Sequence, residues 1–187
     1  MDDFDLNKIE EKKIFSAETI AERVKELGRQ ISEDYRGEKL LVIGILRGAF
    51  VFMADLIRQI DVPLEVDFML VSSYGDRKDT SGVVRIVKDA KKNIQAENVL
   101  IIEDIVDTGL TYYNLKETLM TREPKSLRIC ALLNKLKDRQ KDVEVDYYGF
   151  KINEEFLVGY GLDYQEHFRD CPYIFRPTRQ ALERIEE

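Results

Sequence analysis

Apolar and polar positions divide this chain into segments of two periods. Ile20, Val24, Leu27 and Ile31 step by four, three and four, which predicts an amphipathic helix opened by Ser16 and Glu18 and ended by Gly37. Leu40-Leu41-Val42-Ile43-Gly44-Ile45-Leu46, Val99-Leu100-Ile101-Ile102 and Ser126 to Leu133 are continuous apolar runs, as in strands covered on both faces of a parallel sheet. Leu64, Val66, Phe68 and Leu70 alternate instead, predicting a strand to Tyr74 with those four on its dry face. Further helices are predicted over Phe50 to Ile60, Tyr112 to Met120 and Thr178 to Glu187. Further strands are predicted over Val83 to Val87, Val145 to Phe150 and Phe156 to Gly161. Polar residues from Ser73 to Gly82 predict a hairpin with a long mobile tip. Strands alternating with helices make this an α/β fold with a mainly parallel sheet.

Length and charge narrow the classes. At 187 residues, with no internal repeat or linker, one domain over 1–187 is expected. The formal charge of -7 argues against nucleic acid or anionic lipid as a partner. Leu40 to Ile57 is apolar enough to suggest a membrane span, but Arg47 at its centre would cost about 2.5–3.5 kcal/mol. The start Met1-Asp2-Asp3 lacks the basic and apolar regions of a signal peptide. Cys130 and Cys171 form no Cys-x-x-Cys pair, which favours a reducing compartment, hence the cytoplasm.

The chemistry concentrates where the run from Val99 meets Glu103-Asp104-Ile105-Val106-Asp107-Thr108-Gly109-Leu110-Thr111. A glycine and two threonines between a strand and a helix N-terminus suit a phosphate, which backbone N–H groups and the helix dipole favour. Three carboxylates beside it must face something else: sugar hydroxyls, a cation or a proton. One such acid would be read as an N-cap; three at one strand mouth repel each other unless a ligand offsets them. Asp107-Thr108-Gly109 also occurs in aspartic proteases, but they need two copies and this chain has one. Arg47-Gly48 ends another buried strand, and Arg47 is either a solvent-exposed loop residue or an anion ligand. By position alone Lys135 is a solvated charge, Phe156 a core residue and Asp163 a turn residue. Neither Gly-x-x-x-x-Gly-Lys-Ser/Thr nor Gly-x-Gly-x-x-Gly occurs, and His167 is the only histidine, which leaves little for zinc or a histidine triad.

The stretch from Val99 to Thr111 resembles the phosphoribosyl pyrophosphate signature of the purine phosphoribosyltransferases. The likeness spans nearly the whole chain: Leu46-Arg47-Gly48, Ser72-Ser73-Tyr74-Gly75 with Ser81 to Ile86, Leu132-Leu133-Asn134-Lys135, and Phe156 to Tyr164 followed by Phe168-Arg169. The last block is similar to enzymes for 6-oxopurines. The resemblance implies a type I phosphoribosyltransferase fold: a twisted, mainly parallel sheet flanked by helices, its core at about 38–135, a small hood from the N- and C-terminal segments and a hairpin lid.

Carried over by position, it implies that Thr108, Gly109, Leu110 and Thr111 cradle the ribose phosphate. Glu103 and Asp104 take the ribose hydroxyls and magnesium, with Asp163 also at the metal, and Asp107 is the general base. Arg47 and Gly48, through a non-proline cis peptide, and Arg169 contact pyrophosphate. Lys135 bonds the 6-oxo group, Phe156 stacks on the purine and Leu157 offers backbone groups to its edge, while Ser73 and Tyr74 close as a lid. The implied activity is magnesium-dependent purine salvage by a homodimer or homotetramer. Two features depart from the pattern. Asn134 and Leu136 stand where many relatives have Asp and Pro, and residues 76–79 are unusually charged. A nucleotide-sensing RNA-binding regulator on the same fold would need a basic face. A pyrimidine or adenine specialist fits the Lys135 and Phe156 blocks less well.

Overall fold

In the computed structural model, which describes residues 10–73, 84–137, 139–153 and 156–186, the elements run in this order. First come β1 (Glu10–Phe15), α1 (Ala17–Asp34), β2 (Leu40–Leu46) and α2 (Phe50–Leu56) with a 3-10 turn (Ile57–Gln59). Next are β3 (Leu64–Ser73), β4 (Val84–Lys88), β5 (Asn98–Val106), α3 (Leu110–Met120) and β6 (Ser126–Lys135). Last come β7 (Tyr147–Ile152), β8 (Ile174–Pro177) and α4 (Arg179–Glu186). The Ser16 hydroxyl caps α1 by accepting the Thr19 N–H at 3.2 Å, and the buried stripe is Ile20, Val24, Leu27, Gly28 and Ile31.

Six strands form the main sheet in the order β4-β3-β2-β5-β6-β7, parallel except for the β4 edge. Residues 40–45 of β2 and 98–102 of β5 are all buried, because helices cover both faces. One core joins α1 and α2 to Leu40, Val42, Leu100, Ile102 and Leu132. The other joins α3, through Tyr112, Leu115 and Leu119, to Leu41, Ile43, Val99, Ile101 and Ile129. Each such side chain contributes about 1.5–3 kcal/mol on burial. The apolar stretch through Arg47 is β2, a turn and α2; among the described residues no helix is long and apolar enough to cross a membrane.

Strand order reverses between β2 and β5. In open parallel sheets the crevice beyond the carboxyl ends at such a point is where ligands gather. That places the turns after Leu46 and after Val106 side by side.

Four sequence expectations change. In β3 the fully buried residue is Met69, while Phe68 is 36% exposed. Met69 packs with Ile94 in the second core, whereas Phe68 points to the other face of the sheet, beside Gly44 of the neighbouring β2. Residues 156–161 form no strand: φ is positive at Gly159, Tyr160 and Gly161, so the run is a coiled turn that meets β8 only through Val158 and Phe175. The main sheet continues to Ile152, past the expected core limit near 135, because β7 pairs parallel with β6, Cys130 opposite Tyr147. Finally β1 and β8, not foreseen as strands, pair antiparallel in a separate two-stranded sheet of N- and C-terminal segments.

Candidate active site

β5 delivers the acidic stretch to the crevice. Glu103 and Asp104 are half-buried strand residues, and Asp107 emerges exposed beyond the strand end. Gly109, at φ 81°, caps α3 in the left-handed conformation that glycine accepts without strain. Thr108 Oγ1 accepts the Leu110 N–H at 3.4 Å. The following loop is seated on this turn: the Gln140 and Lys141 N–H groups donate to the Thr108 carbonyl at 2.9 and 3.2 Å. A Cβ on Gly109 would lie 2.6 Å from the Lys141 carbonyl oxygen, so side chains are excluded there for a second reason. A cleft of about 90 Å³ opens between Glu103, residues 105–109, Thr111 and Tyr112. Thr108, Gly109 and Thr111 thus line a pocket at the N-terminus of α3, where first-turn amides lack intrahelical acceptors.

The two strand carboxylates are poorly compensated. Glu103 Oε2 is buried without a hydrogen-bond partner, and burial, then the charge of Asp104, holds its carboxyl well above the usual range. Asp104 is pushed up to about 6, by burial first and further by Asp163; the Ile105 N–H, 2.7 Å from Oδ1, and the charge of Arg169 act in the opposite direction. Since the folded protein binds this proton more tightly than the unfolded chain, Asp104 costs nothing below about pH 4. Its penalty grows as pH rises to about 6, on the order of 1–3 kcal/mol when complete. Asp104→Asn is therefore expected to raise the urea midpoint of the ligand-free protein at pH 7 and to do so much less at pH 4. A difference that does not change with pH would refute this.

Lys135 is not the solvated charge that its position suggested. Its side chain is 9% exposed, and its Nζ lies 2.9 Å from Oδ1 of the 48% exposed Asp107. The β5–β6 register, with Val106 opposite Asn134, brings the two residues together. Arg139, which sequence reasoning missed, ties both strand ends: it donates to the Asn134 side-chain oxygen, to the Lys135 carbonyl at 2.9 Å and to the Val106 carbonyl at 3.5 Å. Asn134, one of the two departures in this loop, is thus an acceptor for a half-buried guanidinium. Tyr112 was missed as well; it lines the cleft with its hydroxyl buried and unpartnered.

The opposite rim is built on β2. Leu46-Arg47 is a cis peptide, as the resemblance implied. A Cβ on Gly48 would sit 1.5 Å from Asp104 Oδ2, and one on Gly161 would sit 2.2 Å from the Gly48 carbonyl oxygen. These glycine contacts bring the loop after β7 onto the Arg47 turn. Arg169 donates to the Gly161 carbonyl at 2.8 Å and pairs with Asp163 at 2.8 Å, and both Arg47 and Arg169 meet Glu166. Phe156 is 38% exposed, not a core residue, and meets Tyr164 edge to face with ring centroids 5.5 Å apart; the neighbouring Leu157 is buried. Ser73 ends β3, while Tyr74 and residues 75–83 of the expected lid lie outside the described residues.

Among the described residues no group of three His, Cys, Asp or Glu side chains is arranged to hold a metal. Glu103, Asp104 and Asp163 therefore make no cage, and Asp163 is engaged by Arg169 and by the Glu166 N–H at 2.9 Å. The unpartnered Glu103 oxygen nevertheless fits magnesium, which takes one or two carboxylates and completes its shell from water and substrate oxygens.

The chain matches the phosphoribosyl transferase domain family over residues 11–165. It is 50% identical over 157 residues to the hypoxanthine phosphoribosyltransferase of Salmonella typhimurium, spanning 83% of this chain and 88% of the relative. It is 49% identical over 167 residues to the hypoxanthine-guanine phosphoribosyltransferase of Mycobacterium avium, spanning 86% and 82%. Among solved structures, a hypoxanthine phosphoribosyltransferase from Staphylococcus aureus aligns with a TM-score of 0.91 at 43% identity, covering 96% of this chain and 97% of that one. A hypoxanthine-guanine phosphoribosyltransferase from Bacillus anthracis aligns at 0.86 and 43%, covering 90% and 99%. With the Thr108 to Thr111 turn, the two strand carboxylates and the buried lysine at one end of the sheet, this chain belongs to the phosphoribosyltransferase family, in its hypoxanthine-guanine branch.

Proposed function

We propose that this protein transfers phosphoribose from phosphoribosyl pyrophosphate to N9 of hypoxanthine or guanine, giving IMP or GMP and pyrophosphate. The observation that carries the reading is the buried Lys135 held against Asp107 beside the Thr108 to Thr111 turn. A buried ammonium at a cleft rim can donate to a 6-oxo group and offers nothing to a 6-amino group. Thr108 to Thr111 receive the 5′-phosphate, and Glu103 and Asp104 accept from the ribose hydroxyls. Phe156, part-exposed, stacks on the purine, whose edge meets the backbone of Leu157. Arg47, the Gly48 N–H and Arg169 take the pyrophosphate.

As the bond from the anomeric carbon to pyrophosphate breaks, the bond to N9 forms and Asp107 accepts the purine's N–H proton. Arg47 and Arg169 meet the negative charge that grows on the leaving group, the preorganised electrostatics that usually dominates catalysis. Glu103 and Asp104, with Asp163 close by, would hold magnesium, which supplies further charge neutralisation at pyrophosphate. Cytoplasmic location and a homodimer or homotetramer belong to the same reading; sedimentation tests the assembly.

Incubation with phosphoribosyl pyrophosphate, magnesium and each purine in turn is the direct test. Equal amounts of nucleotide and pyrophosphate are expected from hypoxanthine and guanine, little from adenine, and none from any of them after chelation of divalent cations. Transfer to adenine at a comparable rate would remove Lys135 from base selection.

A further inference from the structure

Gln165 and Glu166 are the two-residue tip of a small hairpin. Its flanking residues, Tyr164 and His167, exchange backbone hydrogen bonds of 3.2 and 3.0 Å. Both tip residues have positive φ, 47° and 69°, as in a type I′ turn, where Asn-Gly is the favoured pair. Neither glutamine nor glutamate prefers left-handed backbone. The turn is held by Asp163, whose Oδ2 accepts the Glu166 N–H at 2.9 Å.

This geometry aims the Glu166 carboxylate between two guanidinium groups. One oxygen accepts from Arg47 and the other from Arg169 at 3.2 Å. The carboxylate thus bridges two arginines, one on the turn after β2 and one on the loop before β8, using two anionic oxygens as a diphosphate would. Arg47 and Glu166 are 63% and 54% exposed, while Arg169 is 17% exposed. The bridge therefore lies where solvent and ligand reach it, and it rests on a cation that the fold holds in place.

We propose that Glu166 occupies the leaving-group subsite in the ligand-free protein and competes with pyrophosphate for Arg47 and Arg169, so that its return to the two arginines promotes product release. The inference rests on the reading of those arginines as pyrophosphate ligands. A group that holds the arginines in most molecules lowers the apparent affinity of a competing ligand by the fraction of sites left open. Exposed pairs of this kind are individually weak, so the competitor can be displaced by a fully charged diphosphate.

The test is calorimetric titration of magnesium pyrophosphate onto the parent chain, Glu166→Gln, Glu166→Gly and Arg169→Ala, with product-inhibition constants measured beside it. Glu166→Gln keeps the size and the backbone demand of the turn but removes the charge. It is expected to bind pyrophosphate about five- to tenfold more tightly, two weak pairs being lost as competitors, with the inhibition constant falling by the same factor. Glu166→Gly should tighten binding as well, while Arg169→Ala should weaken it. Unchanged or weaker binding in Glu166→Gln overturns the proposal, since the carboxylate would then be idle or would help to orient the arginines. Tighter binding confined to Glu166→Gly also overturns it, by assigning the effect to turn geometry. If Arg169→Ala leaves pyrophosphate affinity intact, the underlying assignment of the arginines fails and the proposal falls with it.

Discussion

Replacing Asp107 by Asn is expected to slow turnover by about 10²–10⁴-fold, the usual contribution of a positioned proton acceptor, or roughly 3–5 kcal/mol of barrier. The amide has nearly the shape of the carboxylate but cannot accept a purine proton. Phosphoribosyl pyrophosphate should still bind with little loss, because the phosphate turn, Arg47 and Arg169 are untouched. The contact that makes the test informative also complicates it: Lys135, 9% exposed, has Asp107 as its carboxylate 2.9 Å away. Removing that partner leaves a poorly solvated ammonium, and breaking buried pairs destabilises even where forming them gains little. Urea unfolding of Asp107→Asn should therefore accompany the kinetics. A large fall in kcat with a modest fall in midpoint supports the proton-acceptor role. A kcat near that of the parent, with titrated phosphoribosyl pyrophosphate binding intact, would move that role elsewhere.

The parts of the fold legible in the sequence are those that local pattern determines. Helix α1 has a cap, a four-three-four stripe and one buried face, and the structure begins it after Ser16. β2, β5 and β6 are continuous apolar runs because helices cover both faces of the sheet. What was not legible depends on partners distant in sequence. β1, Glu-Glu-Lys-Lys-Ile-Phe, carries too much charge to read as a strand, and its pairing with β8 joins the two ends of the described chain. Residues 156–161 read as a strand from composition alone, but Gly159 and Gly161 are needed where other backbone passes within side-chain reach. The signal available was that two glycines flank one tyrosine there. It pointed to a turn.

The site divides in the same way. Glu103, Asp104, Asp107 and Thr108 to Thr111 are contiguous, so their gathering where a strand end meets a helix start could be read from the sequence. For Lys135 and Phe156 the bland reading by position was wrong in both directions: one is a buried charge and the other a part-exposed ring. Both are set by strand register and loop course, which spacing does not encode; only the family resemblance pointed to them. Glu166 and Arg139 had no signal at all, because each matters through contacts that the loops create, Glu166 with Arg47 and Arg169 and Arg139 with the ends of β5 and β6.

Gly48→Ala is the second variant expected to have a large effect, and its cause is steric rather than conformational. The added methyl would lie 1.5 Å from Asp104 Oδ2 and 2.5 Å from its Cγ. Asp104 cannot stay where it is. Nor can the turn back away freely, since the Gly48 carbonyl oxygen is so close to Gly161 that a Cβ there would sit at 2.2 Å. Overpacking of this kind costs about 1–3 kcal/mol of stability, and an ångström of misplacement at a reacting centre costs about 10²-fold in rate. The expected result is a fall of about that size in kcat/KM for phosphoribosyl pyrophosphate, larger than any effect on the purine KM, because the proposed function assigns Asp104 to the sugar and the Arg47 turn to its leaving group. Gly37→Ala is the matched comparison: Gly37 has φ 80° with no atom within 4 Å of an added Cβ, so it should lose about 1 kcal/mol of stability and keep its kinetics. If Gly48→Ala behaves like Gly37→Ala, losing stability alone, then the carboxylate of Asp104 has no part in binding the sugar.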